Sequence, residues 1–150
     1  MSSTGLEVFD TTLQKTHTLI QDVMSRLDVR DKHRGYLALR VGLHALRDRL
    51  PIEEVAQLGA QLPMLVRGFY YEGWNPTGKP MKLGKCEFLS RIDQEFNTDE
   101  KIDPEMIARA VFSALGAHIA AGELEDIKRT LPSDLQELWT ESSSALAHHP

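Results

Sequence analysis

A chain of 150 residues, 41% hydrophobic and 26% charged, is long enough for one ordinary domain with a real core, and its composition excludes a collagen-like or wholly disordered polymer. A net charge of −5 disfavours a general nucleic-acid binder, which needs a basic face for phosphates. No apolar run approaches a membrane span of about 18 residues, MSSTGLEVFD lacks the regions of a signal peptide, and the single Cys86 permits neither an internal disulfide nor a cysteine-based zinc site.

Helical periodicity dominates the chain, and no stretch alternates apolar and polar residues as a strand would. Leu13, Ile20, Val23, Met24 and Leu27 share one face, which predicts a first helix over 10–27, capped by Asp10 or Thr11. His17 lies on the same apolar stripe, where a half-buried, hydrogen-bonded side chain is the ordinary outcome. A second helix over 32–49 carries Tyr36, Leu39, Leu43, Leu46 and, just past its end, Leu50. A third follows Pro51, with Glu53 and Glu54 in its first turn beside the positive end of the dipole. Pro63 ends it, and a short helix covers 64–70.

Downstream, Cys86 to Phe96 forms another helix. Asp103-Pro104 reads as cap and first-turn proline for a helix reaching Ile119. One from Ala121 or Gly122 to Arg129 follows, and Ser133 with Gln136 reads as a capping box for a last short helix ending at Trp139. The ends, 1–8 and 141–150, are polar or small and are expected to be mobile.

These elements recur. Sliding the chain on itself by 69 positions, residues 38–70 against 107–139, gives six identities: Arg40/Arg109, Ala45/Ala114, Leu46/Leu115, Glu54/Glu123, Leu62/Leu131 and Pro63/Pro132. Chance gives roughly two at ordinary residue frequencies. Other pairs keep chemical type, among them Leu43/Phe112, Val66/Leu135 and Tyr70/Trp139. The predicted fold is therefore all-α: one helical bundle of two tandem three-to-four-helix repeats related by approximate internal symmetry. Repeat one covers about 9–70, a connector 71–84, repeat two about 85–140, and a tail 141–150. Each copy alone buries too little, so the two should share one core.

The segment Leu62-Pro63-Met64-Leu65-Val66-Arg67-Gly68-Phe69-Tyr70-Tyr71-Glu72-Gly73-Trp74-Asn75-Pro76 resembles the most recognisable stretch of an uncharacterised bacterial family, domain of unknown function 2267. Glu87-Phe88-Leu89, Gly122-Glu123 and Leu131-Pro132-Ser133-Asp134-Leu135 through Trp139 are similar to the rest of its pattern, so the resemblance spans roughly 9–140. It implies an all-helical, soluble, cytoplasmic bacterial protein. It supplies no catalytic residue, cofactor or substrate.

Two groups are candidate binding residues. Arg67, Tyr70, Tyr71, Glu72 and Trp74 fall in the aromatic connector, where ring faces and a guanidinium suit a planar or anionic ligand or a partner surface. The alternative is packing between the repeats, which the Tyr70/Trp139 match favours; Tyr71, Glu72 and Trp74 lack counterparts. Arg40, His44 and Arg47 form a helical stripe able to receive a phosphate or an acidic partner, or to tie helices together. Residues 1–75 hold nine basic and nine acidic side chains, and 76–150 hold eight and thirteen, so one half could meet the other half of a second molecule. No nucleophile–base motif, phosphate loop or histidine metal pair occurs, so neither catalysis nor a cofactor nor a metal is expected. The expected function is a non-catalytic interaction module for another protein or itself, or alternatively a small-molecule binder with a pocket by the connector.

Overall fold

Prolines and aspartates set several of the helix starts. The computed structural model describes residues 3–139. Its helices are α1 (Glu7–Leu27), α2 (Lys32–Arg49), α3 (Ile52–Gln61), α4 (Met64–Tyr71), α5 (Lys85–Glu95), α6 (Pro104–His118), α7 (Ala121–Thr130) and α8 (Ser133–Gln136), the last running into a 3₁₀ turn, Glu137–Trp139. There is no strand among the described residues, and no helix there is long and apolar enough to cross a membrane. Asp31 and Asp103 accept the backbone N–H two residues on, from His33 and Glu105, and so cap α2 and α6. Pro51, Pro63 and Pro132 precede α3, α4 and α8, where an absent N–H costs nothing.

Three local expectations are corrected. Helix α1 begins at Glu7, not at residue 10, and neither Asp10 nor Thr11 caps it. Asp10 instead accepts the Thr4 backbone N–H at 3.1 Å and its hydroxyl at 2.9 Å, tying Thr4 to the first turn of the helix. The buried face of α1 is Thr16, Leu19, Val23, Met24 and Leu27, a stripe that turns His17 out to solvent. The capping box at Ser133 does not form, because the Gln136 amide donates to the Lys128 and Leu131 carbonyls behind it. The expected tail, 141–150, lies outside the described residues.

Helices α2 and α6 form the centre. Leu39, Leu43 and Leu46 of α2 are fully buried with Ile107, Val111 and Leu115 of α6. Each such side chain contributes about 1.5–3 kcal/mol on removal from water. Gly42 allows the close approach: a Cβ there would meet Val111 Cγ2 at 2.8 Å. Around this pair, α1 packs on α2 and α6, α5 packs on the same two helices, and α3 meets α7. One continuous apolar cluster runs from Leu19 to Leu138, so every helix contributes to the same core.

Candidate functional site

The connector is pinned to α2 by charges carried on that helix. Arg47 and Asp48 are buried, with Arg47 Nε 2.9 Å from Asp48 Oδ1. Arg91 of α5 donates to the other oxygen, Oδ2, at 2.8 Å. Arg47 Nη1 then donates to the carbonyls of Tyr70, at 2.8 Å, and Glu72, at 3.0 Å, satisfying two acceptors left open by the end of α4. Further on, Met81 N–H donates to the Asp48 carbonyl and Arg49 Nε to that of Leu83.

Arg40 completes the edge of this arrangement, its Nη1 2.6 Å from the exposed Glu72 carboxylate. His44 Nε2–H donates to the Phe69 carbonyl at 2.6 Å. Burial, opposed by that hydrogen bond but aided by Arg47 and Arg40, holds the imidazole below its usual range. It is therefore neutral at pH 7. Arg40, His44, Arg47 and Glu72 thus line one polar cleft of about 300 Å³ together with Asp48 and Arg91. Four of the eight sequence-predicted binding residues come together here.

The other four do not line that cleft. Tyr70 is fully buried, its hydroxyl donating to the Val55 carbonyl at 2.8 Å. Burial pushes the phenol well above its ordinary range, so it stays protonated and is unsuited to proton transfer near neutrality. Tyr71 and Trp74 are half-buried and pack on the core, with ring centroids 4.8 Å apart for Tyr70–Tyr71 and 5.7 Å for Tyr71–Trp74. The Trp74 indole nitrogen is buried with no protein acceptor. Arg67 turns back along its own helix corner, donating from Nε to the Gly59 carbonyl and from Nη2 to that of Leu62, each at 2.9 Å.

A larger cleft lies where sequence reasoning did not look. About 1000 Å³ opens between the start of α1, the α3–α4 corner and the end of α6, lined by Val8, Lys15, Leu62, Met64, Arg67 and His118 among others. Thr12 of α1 accepts the Leu65 N–H at 2.8 Å and holds the two walls together. Val8 is 57% and Met64 43% exposed; Leu6, Phe9 and Leu65, beside them in sequence, are also open to solvent. Among the described residues neither Lys15 nor Arg67 has a carboxylate partner, whereas His118 faces Asp22 at 3.1 Å. The available signal was apolar Leu6, Val8 and Phe9, the first two of which fall in the 1–8 end expected to be mobile.

No curated protein matches the chain. The sequence profile of a family described as "Uncharacterized conserved protein (DUF2267)" matches residues 16–138, a span from the middle of α1 to the final 3₁₀ turn. The chain belongs to the DUF2267 family.

Proposed function

We propose that the chain is a non-catalytic interaction module, built from two tandem copies of one helical unit about an approximate two-fold axis, and that it receives an acidic, amphipathic helix of another protein in the α1–α4 cleft. Support for the two copies comes from positions 69 apart. Helix α3 at Ile52–Gln61 and α7 at Ala121–Thr130 are in register at that offset. Gly42 touches its own counterpart, Val111, where α2 crosses α6. Both helix corners also carry the same clamp: Arg67 to the carbonyls of Gly59 and Leu62, Gln136 to those of Lys128 and Leu131.

That last equivalence carries the functional reading. A neutral glutamine makes both hydrogen bonds in the second copy, so the corner does not need a charge. The charge of Arg67 is surplus to packing and sits, with Lys15, beside exposed Val8 and Met64. A cleft that mixes polar side chains with apolar Val8, Leu62 and Met64, and whose cations Lys15 and Arg67 outnumber its acidic Glu7, suits a helix laid in a groove through its apolar face, with acidic residues on the rim. A single exposed thiol, Cys86, suits the cytoplasm.

The test is fluorescence anisotropy with a labelled amphipathic peptide bearing leucines on one face and glutamates on its edges. Binding should weaken as salt rises, and Arg67→Gln should lower affinity several-fold while leaving the melting temperature nearly unchanged. No binding, or equal binding by Arg67→Gln and Val8→Asp variants, rejects the cleft as the docking site. A second reading has its own observation: the 300 Å³ cleft beside Arg40 and Arg47 is at the lower size limit for a small-molecule site. Co-purified ligand in native mass spectra, lost in Arg40→Gln, would favour it.

A further inference from the structure

Where α3 meets α7, Glu54 and Glu123 face each other and Asp126 joins them, with ligand oxygens from all three within 4.8 Å of one another. Glu123 is only 9% exposed, and the Oε2 atoms of both glutamates are buried without a hydrogen-bond partner. Two carboxylates offer only acceptors, so the pair cannot satisfy itself. Burying like charges in contact requires a cation to enter or a charge to be given up.

The surrounding protein does not supply that cation. Among the described residues no Lys, Arg or His pairs with Glu54 or Glu123; only Asp126 has one, the exposed Arg129 at 3.2 Å. The groups facing Glu123 are Glu54 from α3, Asp126 from α7 itself and the neutral Tyr70 phenol from α4. Burial first, then the Glu54 carboxyl, pushes Glu123 up to about 7. A shared proton therefore fills the gap in acid and leaves near neutrality.

We propose that Glu54, Glu123 and Asp126 form a binding site for a hard divalent cation of the calcium type. Three carboxylates offer up to six oxygens and no nitrogen or sulfur, a donor set suited to calcium in preference to zinc. The ligands come from α3 and α7, so a bound ion would fasten these two helices together.

The experiment is thermal unfolding of the full chain after chelation, at about pH 8 and about pH 5.5, with and without ~5 mM calcium chloride, a concentration that saturates even a weak protein site. Calcium should raise the melting temperature by ~3 °C or more at the higher pH and by much less at the lower, where protons compete. Glu123→Gln keeps the shape of the side chain; it should abolish the calcium response and raise the calcium-free melting temperature at pH 8. Asp126→Asn, at the exposed edge, should weaken the response and serves if the first variant does not fold. No calcium-dependent shift at pH 8, or one that both variants retain in full, overturns the site. So does a pH-dependent stability that Glu123→Gln flattens while calcium changes nothing, since a proton would then be the sole occupant.

Discussion

The corner between α3 and α4 and the corner between α7 and α8 do the same work with different chemistry. In each, a side chain from the shorter helix reaches back to two carbonyls at the end of the longer one: Arg67 in the first, Gln136 in the second. Beyond the corners the two stretches of chain diverge. The first leads into a connector held by Arg47, Asp48 and Arg91, whereas positions 116 and 117, the counterparts of Arg47 and Asp48, are Gly116 and Ala117. The second leads to Trp139, stacked on Phe112 at a centroid distance of 4.2 Å. Shared features are therefore those needed to close a helix corner. Of the features found on one side alone, the Arg47–Asp48–Arg91 cluster holds the connector and the Phe112–Trp139 stack joins the core.

Removing one-sided features from the core should have the largest effect. Asp48→Ala leaves Arg47 buried without its carboxylate and frees Arg91, so it should cost about 3–5 kcal/mol in denaturant unfolding. A loss below about 1 kcal/mol, the range of an ordinary surface pair, would show that the cluster is dispensable to the connector. Next comes the crossing of α2 and α6. Gly42→Ala places a methyl 2.8 Å from Val111 between two packed helices and should cost about 1–3 kcal/mol. The double variant with Val111→Ala makes room and should recover part of it, which a double-mutant cycle would read directly.

The pH profile sharpens the same contrast. The folded Glu123 carboxyl, at about 7, lies above its unfolded value, so its contribution is fully present below the ordinary carboxylate range and is lost as pH rises through 7. The folded His44 imidazole lies below its unfolded value, so its contribution is full above the ordinary histidine range and is lost as pH falls through the folded value. Without divalent cations the melting temperature should therefore fall from pH 6 to pH 8, and Glu123→Gln should remove that fall. A profile that still declines in Glu123→Gln would place the titrating group elsewhere.

The helices were legible in the sequence because their signals are local. Periodicity and Pro51 framed α2 and α3, and Asp103-Pro104 gave α6 both its cap and its start. The start of α1 was missed because its anchor is a reach from Thr4 to Asp10, a contact without a standard cap signature. His17 was misplaced because it and Thr16 both lie three or four residues from Leu13 and Ile20, so the spacing admits either, and the choice of Thr16 was made by packing against neighbouring helices. The Arg40–His44–Arg47 stripe was correct as a stripe. Its use was not legible, since it depends on the carbonyls of residues 69, 70 and 72 arriving from another helix. The acidic pair was seen only as a repeat identity, because an offset of 69 residues says nothing of contact until α3 and α7 meet.

The smallest expected effect is the most discriminating for the two corners. If their clamps are equivalent, Arg67→Gln should change unfolding free energy by no more than about 0.5 kcal/mol, as Gln136 already makes the same two bonds. Arg67→Ala and Gln136→Ala should each cost about 1–2 kcal/mol, the worth of two modest hydrogen bonds to carbonyls at a helix end. Equal losses for Arg67→Gln and Arg67→Ala would mean that the guanidinium itself stabilises the fold. The charge beside Val8 and Met64 would then be part of the packing and no longer free to select an acidic partner.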